Sequence, residues 1–226
     1  MYRQAAQRFA GGCLMIVRQK DEHGVEFLGS GFLCHEKGYV LTAAHNISLA
    51  DKLKATILPP ADQFNPVTMD RVNVLDLTVA QHDPANDVAL LKIVTPPPIS
   101  VAKDSLGNEE AVMVGSSACY LGFPYAQSGL HSLKIGGSVI SAKVISTTGC
   151  RQLQFDANVH EGNSGGPLID LNSGQIVGIV SGRFSPTGSG GMVRIGNHSL
   201  GTDSTISYAS GISYAKALLK AEGING

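Results

Sequence analysis

The chain has 226 residues, with 17 Lys and Arg against 18 Asp and Glu and a net charge of −1, so it offers no basic track for a nucleic acid. No apolar run approaches the roughly 20 residues of a membrane-spanning helix, and Cys13, Cys34, Cys119 and Cys150 stand at none of the spacings that bind zinc. Metal and nucleotide motifs are absent too, no cofactor is implied, and the length allows one large all-β unit or two modest cores.

In chain order, residues 1–10 are polar and the apolar run at 14–17 is too short for a signal peptide. Cytoplasmic residence is therefore the default expectation, with a periplasmic or secreted location left open. Short apolar runs rich in β-branched residues recur at 12–17, 72–75, 88–94, 135–140 and 175–180, each the length of a strand. Thr95-Pro96-Pro97-Pro98 cannot continue a central strand, because proline has no N–H for the ladder. The chain is expected to cross between halves around residues 95–111, dividing into 1–105 and 106–226. Residues 185–191, Ser-Pro-Thr-Gly-Ser-Gly-Gly, have linker composition, and a mobile loop that borders the site is one reading of them. Residues 212–221 are the one convincing helix, with Tyr214, Ala217, Leu218 and Ala221 on one face. The expected architecture is all-β: two antiparallel barrels and a C-terminal helix.

Gly162-Asn163-Ser164-Gly165-Gly166-Pro167 is the most informative stretch. A serine between glycines in a tight turn presents its hydroxyl and backbone N–H groups to one point, an arrangement suited to acyl transfer if a base and an orienting acid exist elsewhere. His45, in Leu41-Thr42-Ala43-Ala44-His45, is the candidate base. Asp87, in Asn86-Asp87-Val88-Ala89-Leu90-Leu91, is the candidate acid. The pattern G-x-S-x-G also marks the strand-to-helix elbow of other hydrolases, whose histidine follows the serine. Here only His198 follows, in a Gly/Ser-rich stretch without apolar flanks, so order decides against the elbow.

At these segments, with Gly29-Ser30-Gly31 upstream, the chain resembles the chymotrypsin-like (trypsin-fold) serine peptidases. In that family TAAH, a D-[IV]-A-L-L motif and GNSGGP or GDSGGP supply a triad in the order His, Asp, Ser. The resemblance implies two six-stranded barrels with His45 and Asp87 in the first and Ser164 in the second. It implies His45 as general base, Asp87 as its orienting acid, Ser164 as nucleophile, and the N–H groups of Gly162 and Ser164 as the oxyanion donors. Asn163 stands where zymogen-activated trypsins carry Asp, so trimming of the N-terminus is not the expected trigger. That residue and the C-terminal helix resemble the HtrA/Deg group, with no segment left for a PDZ module. Secreted trypsins place a cysteine directly after the histidine; here that residue is Asn46, and buried free thiols are expected.

By the same register, substrate is expected to meet Asn158, Val159, His160 and Glu161 before the nucleophile, then Ser181, Gly182 and Arg183, and a strand near Tyr208 and Ala209. Asn158 takes the position of trypsin's specificity carboxylate, which disfavours cleavage after Lys or Arg. A small or medium apolar P1 residue is expected, with an acidic one open if Arg183 is not tied to a neighbour such as Glu161. Ser181 to Arg183 would pair with a polypeptide as an added strand. His160 is assigned to the subsite wall, and His23, His35, His82 and His131 to solvent. Two other classes stay open: a catalytically silent peptide-binding or chaperone-like protein, and an esterase using the same triad. The oligomeric state is not legible from these residues.

Overall fold

The computed structural model describes residues 1–22, 24–183, 193–195, 198–200 and 206–224, the strands at 193–200 by backbone alone. The first barrel is built from β1 (Cys13–Gln19), β2 (Val25–His35), β3 (Tyr39–Thr42), β4 (Leu53–Ile57), β5 (Asn73–Asp83) and β6 (Val88–Ile93). The second uses β7 (Ser117–Gly122), β8 (Lys134–Ile145), β9 (Arg151–Asp156), β10 (Pro167–Asp170), β11 (Gln175–Arg183) and β14 (Ile206–Gly211). Both close, in the orders β1-β2-β3-β6-β5-β4 and β10-β11-β14-β9-β8-β7, with antiparallel pairing throughout. Among the described residues, the short strands β12 (Val193–Ile195) and β13 (His198–Leu200) pair only with each other. The expected segment 185–191 lies outside the described residues, as does His23.

Several strands are apolar at successive positions because both of their faces are buried. In β1, Leu14 and Ile16 enter the first barrel's core, while Cys13, Met15 and Val17 face a second cluster between the barrels. In β7 the alternation repeats: Ala118 and Tyr120 fill the second barrel, and Cys119 and Leu121 meet the seam. Val88 and Leu90 of β6 and Ile176 and Ile179 of β11 join the same seam. Where two modest cores were expected, the structure has two cores and an apolar layer joining them. Period-two side-chain alternation converts each continuous run into two buried faces.

The C-terminal helix α2 (Ile212–Ala221) follows β14 without a loop and lies against β6 of the other barrel. Its buried stripe is Ile212, Ala215 and Leu219, with Tyr214 and Leu218 half-buried beside it and Ala217 and Ala221 exposed. The expected face was thus rotated: helical spacing fits both stripes, and the seam takes the wholly aliphatic one, leaving Tyr214, whose hydroxyl accepts the Arg151 N–H, at its border. Glu222, just past the helix, accepts from Tyr39 Oη at 3.2 Å and Gln81 Nε2 at 2.6 Å, latching it to the first barrel.

A second helix, α1 (Tyr2–Phe9), was not expected from its polar composition. Only Ala5 and Phe9 are buried, too short a stripe to announce a helix, and isolated helices of this length are unstable. Packing of Phe9 in the seam and Arg8, whose guanidinium donates to the carbonyls of Lys103 at 2.7 Å and Gly174 at 3.1 Å, hold it in place. His35 Nδ1, half-buried rather than solvated, accepts the Lys37 N–H, and His131 Nδ1 accepts that of Met69. All four cysteines are unpaired and buried, and burial pushes the thiols of Cys13 and Cys119 up to about 12.

The helix α2 begins at Gly211, which has no side chain to cap it. Glu109, only 3% exposed, supplies the cap from the inter-barrel connection, accepting the Ser213 N–H at 3.1 Å and the Ser213 hydroxyl. Truncation to Ala leaves both donors without their acceptor. Glu109→Ala is expected to lower stability by about 1–3 kcal/mol, measured by urea unfolding; an unchanged midpoint would contradict this cap.

Candidate active site

His45 sits in a single 3-10 turn, Ala44–Asn46, immediately after β3. Ala43 and Ala44 are buried, so the turn is anchored while the imidazole remains half exposed. Asp87 closes the β5–β6 turn with φ +56, a left-handed conformation that Asp tolerates better than most residues. The Asp83 carboxylate fixes that turn by accepting the Asn86 backbone N–H at 3.2 Å and its side-chain amide at 2.7 Å. The two predicted residues meet: His45 Nδ1 lies 2.9 Å from each Asp87 oxygen, and the His45 backbone N–H donates to Oδ1 at 3.0 Å. A carboxylate at Nδ1 favours the tautomer with its proton there, leaving the Nε2 lone pair available.

A third group reaches Asp87 from the other barrel. The register of β11 against β14 shifts between Val180 and Gly182, which takes Ser181 out of the ladder and re-aims it. Its hydroxyl donates to Asp87 Oδ2 in a short hydrogen bond. Burial pushes the Asp87 carboxyl up, but the hydrogen bond from His45, the His45 charge, the Ser181 hydroxyl and the His45 backbone N–H outweigh it. The net result is a carboxyl held below its ordinary range.

Ser164 lies beyond a type II turn: Asn163 N–H donates to the His160 carbonyl at 3.1 Å, and of the two central residues only Gly162 has positive φ, at +97. A Cβ on Gly162 would stand 2.3 Å from the Phe123 carbonyl oxygen, so glycine is required there on two counts. The Glu161 carbonyl accepts the Tyr125 N–H at 2.8 Å, which fixes the peptide plane that carries the Gly162 N–H. Among the described residues, the N–H groups of Gly162 and Ser164 have no protein acceptor. The Ser164 hydroxyl donates to the Ser181 carbonyl at 2.8 Å rather than to His45. Ser181 therefore touches both ends of the constellation, its carbonyl on Ser164 and its hydroxyl on Asp87.

Around Ser164, Arg183 Nη1 donates to Asn158 Oδ1 at 2.5 Å, so its partner among the described residues is Asn158 and not the Glu161 anticipated from sequence. The His160 ring centroid lies 4.9 Å from that of Tyr125 with the planes inclined at 34°, and its Nδ1 is hydrogen-bonded to the Tyr125 hydroxyl at 2.8 Å. Burial, then Lys134 and Arg183, lower its pKa and favour the neutral ring. Gly182 pairs with Tyr208 across β11 and β14, while Val159 and Ala209 are buried in the second barrel's core. Sequence reasoning missed Tyr125, a left-handed residue at φ +57. It also gave no role to Ser30, inside the quoted Gly29-Ser30-Gly31, or to Asn46, which directly follows the His45 motif.

The family model described as "Trypsin-like peptidase domain" matches residues 29–179, more than half of the chain. The chain belongs to the trypsin-like peptidase family. A "Probable periplasmic serine endoprotease DegP-like" of Brucella suis is 35% identical over 169 residues, 71% of this chain and 28% of the relative. The "Magnetosome formation protease MamE" of Paramagnetospirillum magneticum is 29% identical over 170 residues, 73% of this chain and 21% of the relative. The chain thus spans under a third of these relatives. Its fold is that of the solved "HtrA-type protease AlgW with tripeptide", with a TM-score of 0.72 at 22% identity, covering 98% of this chain and 63% of that one. The Brucella relative is named periplasmic, which removes the support for cytoplasmic residence as the default. No described helix is long and apolar enough to cross a membrane.

Because the folded pKa of Asp87 is depressed, its contribution to stability is fully present above the ordinary value of 3.8 and is lost as pH falls through the lower folded value. Parent and Asp87→Asn, compared by urea midpoint from neutral to acid pH, should differ by a constant amount until that range and then converge. A gap that stays constant down to the acid limit would refute the coupling.

Proposed function

We propose that the chain is the catalytic domain of a serine endopeptidase, hydrolysing peptide bonds through His45, Asp87 and Ser164. The observation that supports this most directly is Ser181, which contacts the nucleophile through its carbonyl and the acid through its hydroxyl, bringing groups from two barrels to one point. A hydroxyl changes acceptor by rotation about its own bonds, so Ser164 turns from the Ser181 carbonyl to His45 Nε2 when substrate arrives.

In the first step Ser164 Oγ attacks the peptide carbonyl while its proton passes to His45 Nε2. The oxyanion is met by the N–H groups of Gly162 and Ser164, each contributing about 3 kcal/mol in sites of this kind. Collapse expels the amine, which takes the proton from His45, and leaves an acyl ester on Ser164. Water then attacks that ester with His45 again as base, releasing the carboxylic acid and restoring the hydroxyl. Asp87 holds the ring tautomer and stabilises the imidazolium. The neutral amide of Asn163 cannot pair with an ammonium, so no ion pair formed by N-terminal trimming arms this site.

Substrate is a polypeptide laid along Ser181 to Arg183. The Asn158 amide engages Arg183, and an amide in place of a carboxylate at that position favours a small or medium apolar P1 residue over a basic one. The periplasm is the compartment that fits its relatives. An inert peptide-binding role is disfavoured because binding does not require the ordered His45–Asp87 pair beside a nucleophile.

Ser164→Ala should abolish casein hydrolysis and fluorophosphonate labelling with an unchanged melting temperature, and Asp87→Asn should lower turnover by about 10⁴. Labelling that persists in pure Ser164→Ala removes this nucleophile, and p-nitrophenyl ester turnover without casein cleavage points to an esterase instead. A positional-scanning peptide library should show no preference for Lys or Arg at P1; strong cleavage after either would refute the role given to Asn158.

A further inference from the structure

Two residues of the first barrel reach across the seam to the turn that carries Ser164. Ser30, on β2 and fully buried, uses both backbone and side chain. Its N–H donates to the Ser164 carbonyl at 2.8 Å. Its hydroxyl accepts the Phe123 N–H at 3.0 Å and donates to the Gly162 carbonyl at 2.6 Å. Asn46, the residue after His45, donates from Nδ2 to the same Ser164 carbonyl at 2.8 Å and to Thr42 Oγ1 at 3.1 Å. Thr42 in turn donates to the Ser30 carbonyl at 2.7 Å, so the donors and acceptors run in one consistent direction.

The peptide planes 162–163 and 164–165, which flank the plane of the Ser164 N–H, are therefore set from outside the second barrel. Fixing the Gly162 carbonyl orients the 162–163 plane, and fixing the Ser164 carbonyl orients the 164–165 plane. The Ser164 N–H belongs to the plane between them and has little freedom left. Space is equally restricted: a Cβ at Gly165 would stand 2.0 Å from the Ser30 carbonyl oxygen, and one at Gly29 would stand 2.3 Å from Asn46 Nδ2.

We infer that Ser30 and Asn46 are positioning residues for hydrolysis, clamping the carbonyls of Gly162 and Ser164 so that the nucleophile and its N–H stay aligned with the base of the other barrel. The inference rests on Ser164 as nucleophile. It gives the residue after His45 a specific task, since that amide is attached to the same 3-10 turn as the imidazole. Base and nucleophile are thus registered to each other through one side chain.

The test uses the full chain, with fluorescein-labelled casein for kcat and KM and a fluorophosphonate for the labelling rate. Ser30→Ala removes only the hydroxyl, and Asn46→Leu keeps the same branched heavy-atom skeleton without a donor. Each is expected to lower kcat and labelling on the order of 10², with KM within about twofold and Asn46→Leu melting close to the parent. Gly29→Ala, which pushes the amide aside without touching a hydrogen-bonding residue, should also lower kcat in the parent but cost nothing more in Asn46→Ala. Parent-like kcat in folded Ser30→Ala or Asn46→Leu overturns the inference, as does a loss confined to KM or one that only follows lost stability. Should Ser30→Ala not fold, Asn46→Leu and the Gly29→Ala pair decide alone. A parent that neither labels nor cleaves casein overturns the reading of Ser164 and this inference with it. With an active parent and an inert Ser164→Ala, parent-like kcat in the clamp variants overturns only the role given to Ser30 and Asn46.

Discussion

His45 and Asp87 stand on one barrel and Ser164 on the other, so the proposed site depends on the seam that holds two separately closed sheets in register. A closed barrel has no free edge with which to hydrogen-bond a neighbour, and side-chain packing must therefore carry the junction. The apolar layer of Met15, Val17, Leu90, Cys119, Leu121, Ile176 and Ile179 provides the adhesion. Adhesion is non-directional, however, and by itself does not set two groups to hydrogen-bond tolerance. Direction comes from polar contacts threaded through the seam: Ser181 to Asp87, Ser30 to Gly162, and Asn46 to Ser164.

Helix α2 and Glu109 act on the same problem from the far side. The helix leaves the second barrel and packs on β6, the strand that Asp87 precedes, and Glu222 joins it to Tyr39 and Gln81 of the first. Glu109, in the connection between barrels, caps its start. The connection and the terminal helix thus brace the interface that the site spans.

Electrostatics at the site follow from incomplete burial. Asp87 is shielded enough for desolvation to be its largest single influence, yet the donors around it reverse the sign. An ionised carboxylate sustained in this way keeps its imidazole oriented without an external cation. The neighbouring His160 is governed in the opposite sense, since burial and two nearby cations all disfavour its charged form. His45 and His160 therefore have different environments, the ring of the first against a carboxylate and that of the second against the Tyr125 hydroxyl.

The all-β class, the C-terminal helix and the candidate site residues were legible in the chain before any folding, because those depend on local signals. Apolar runs of strand length, proline after β6, and short motifs around His45, Asp87 and Ser164 can be read one segment at a time. Long-range packing was needed to select the buried face of α2, to form α1, and to turn Arg183 toward Asn158. The same holds for the network that joins Ser30, Asn46, Thr42 and Ser181. Those outcomes depend on partners distant in the chain, such as Gly162 for Ser30, 132 residues away. A serine or asparagine looks the same in sequence whether its partner is water or a carbonyl of another barrel.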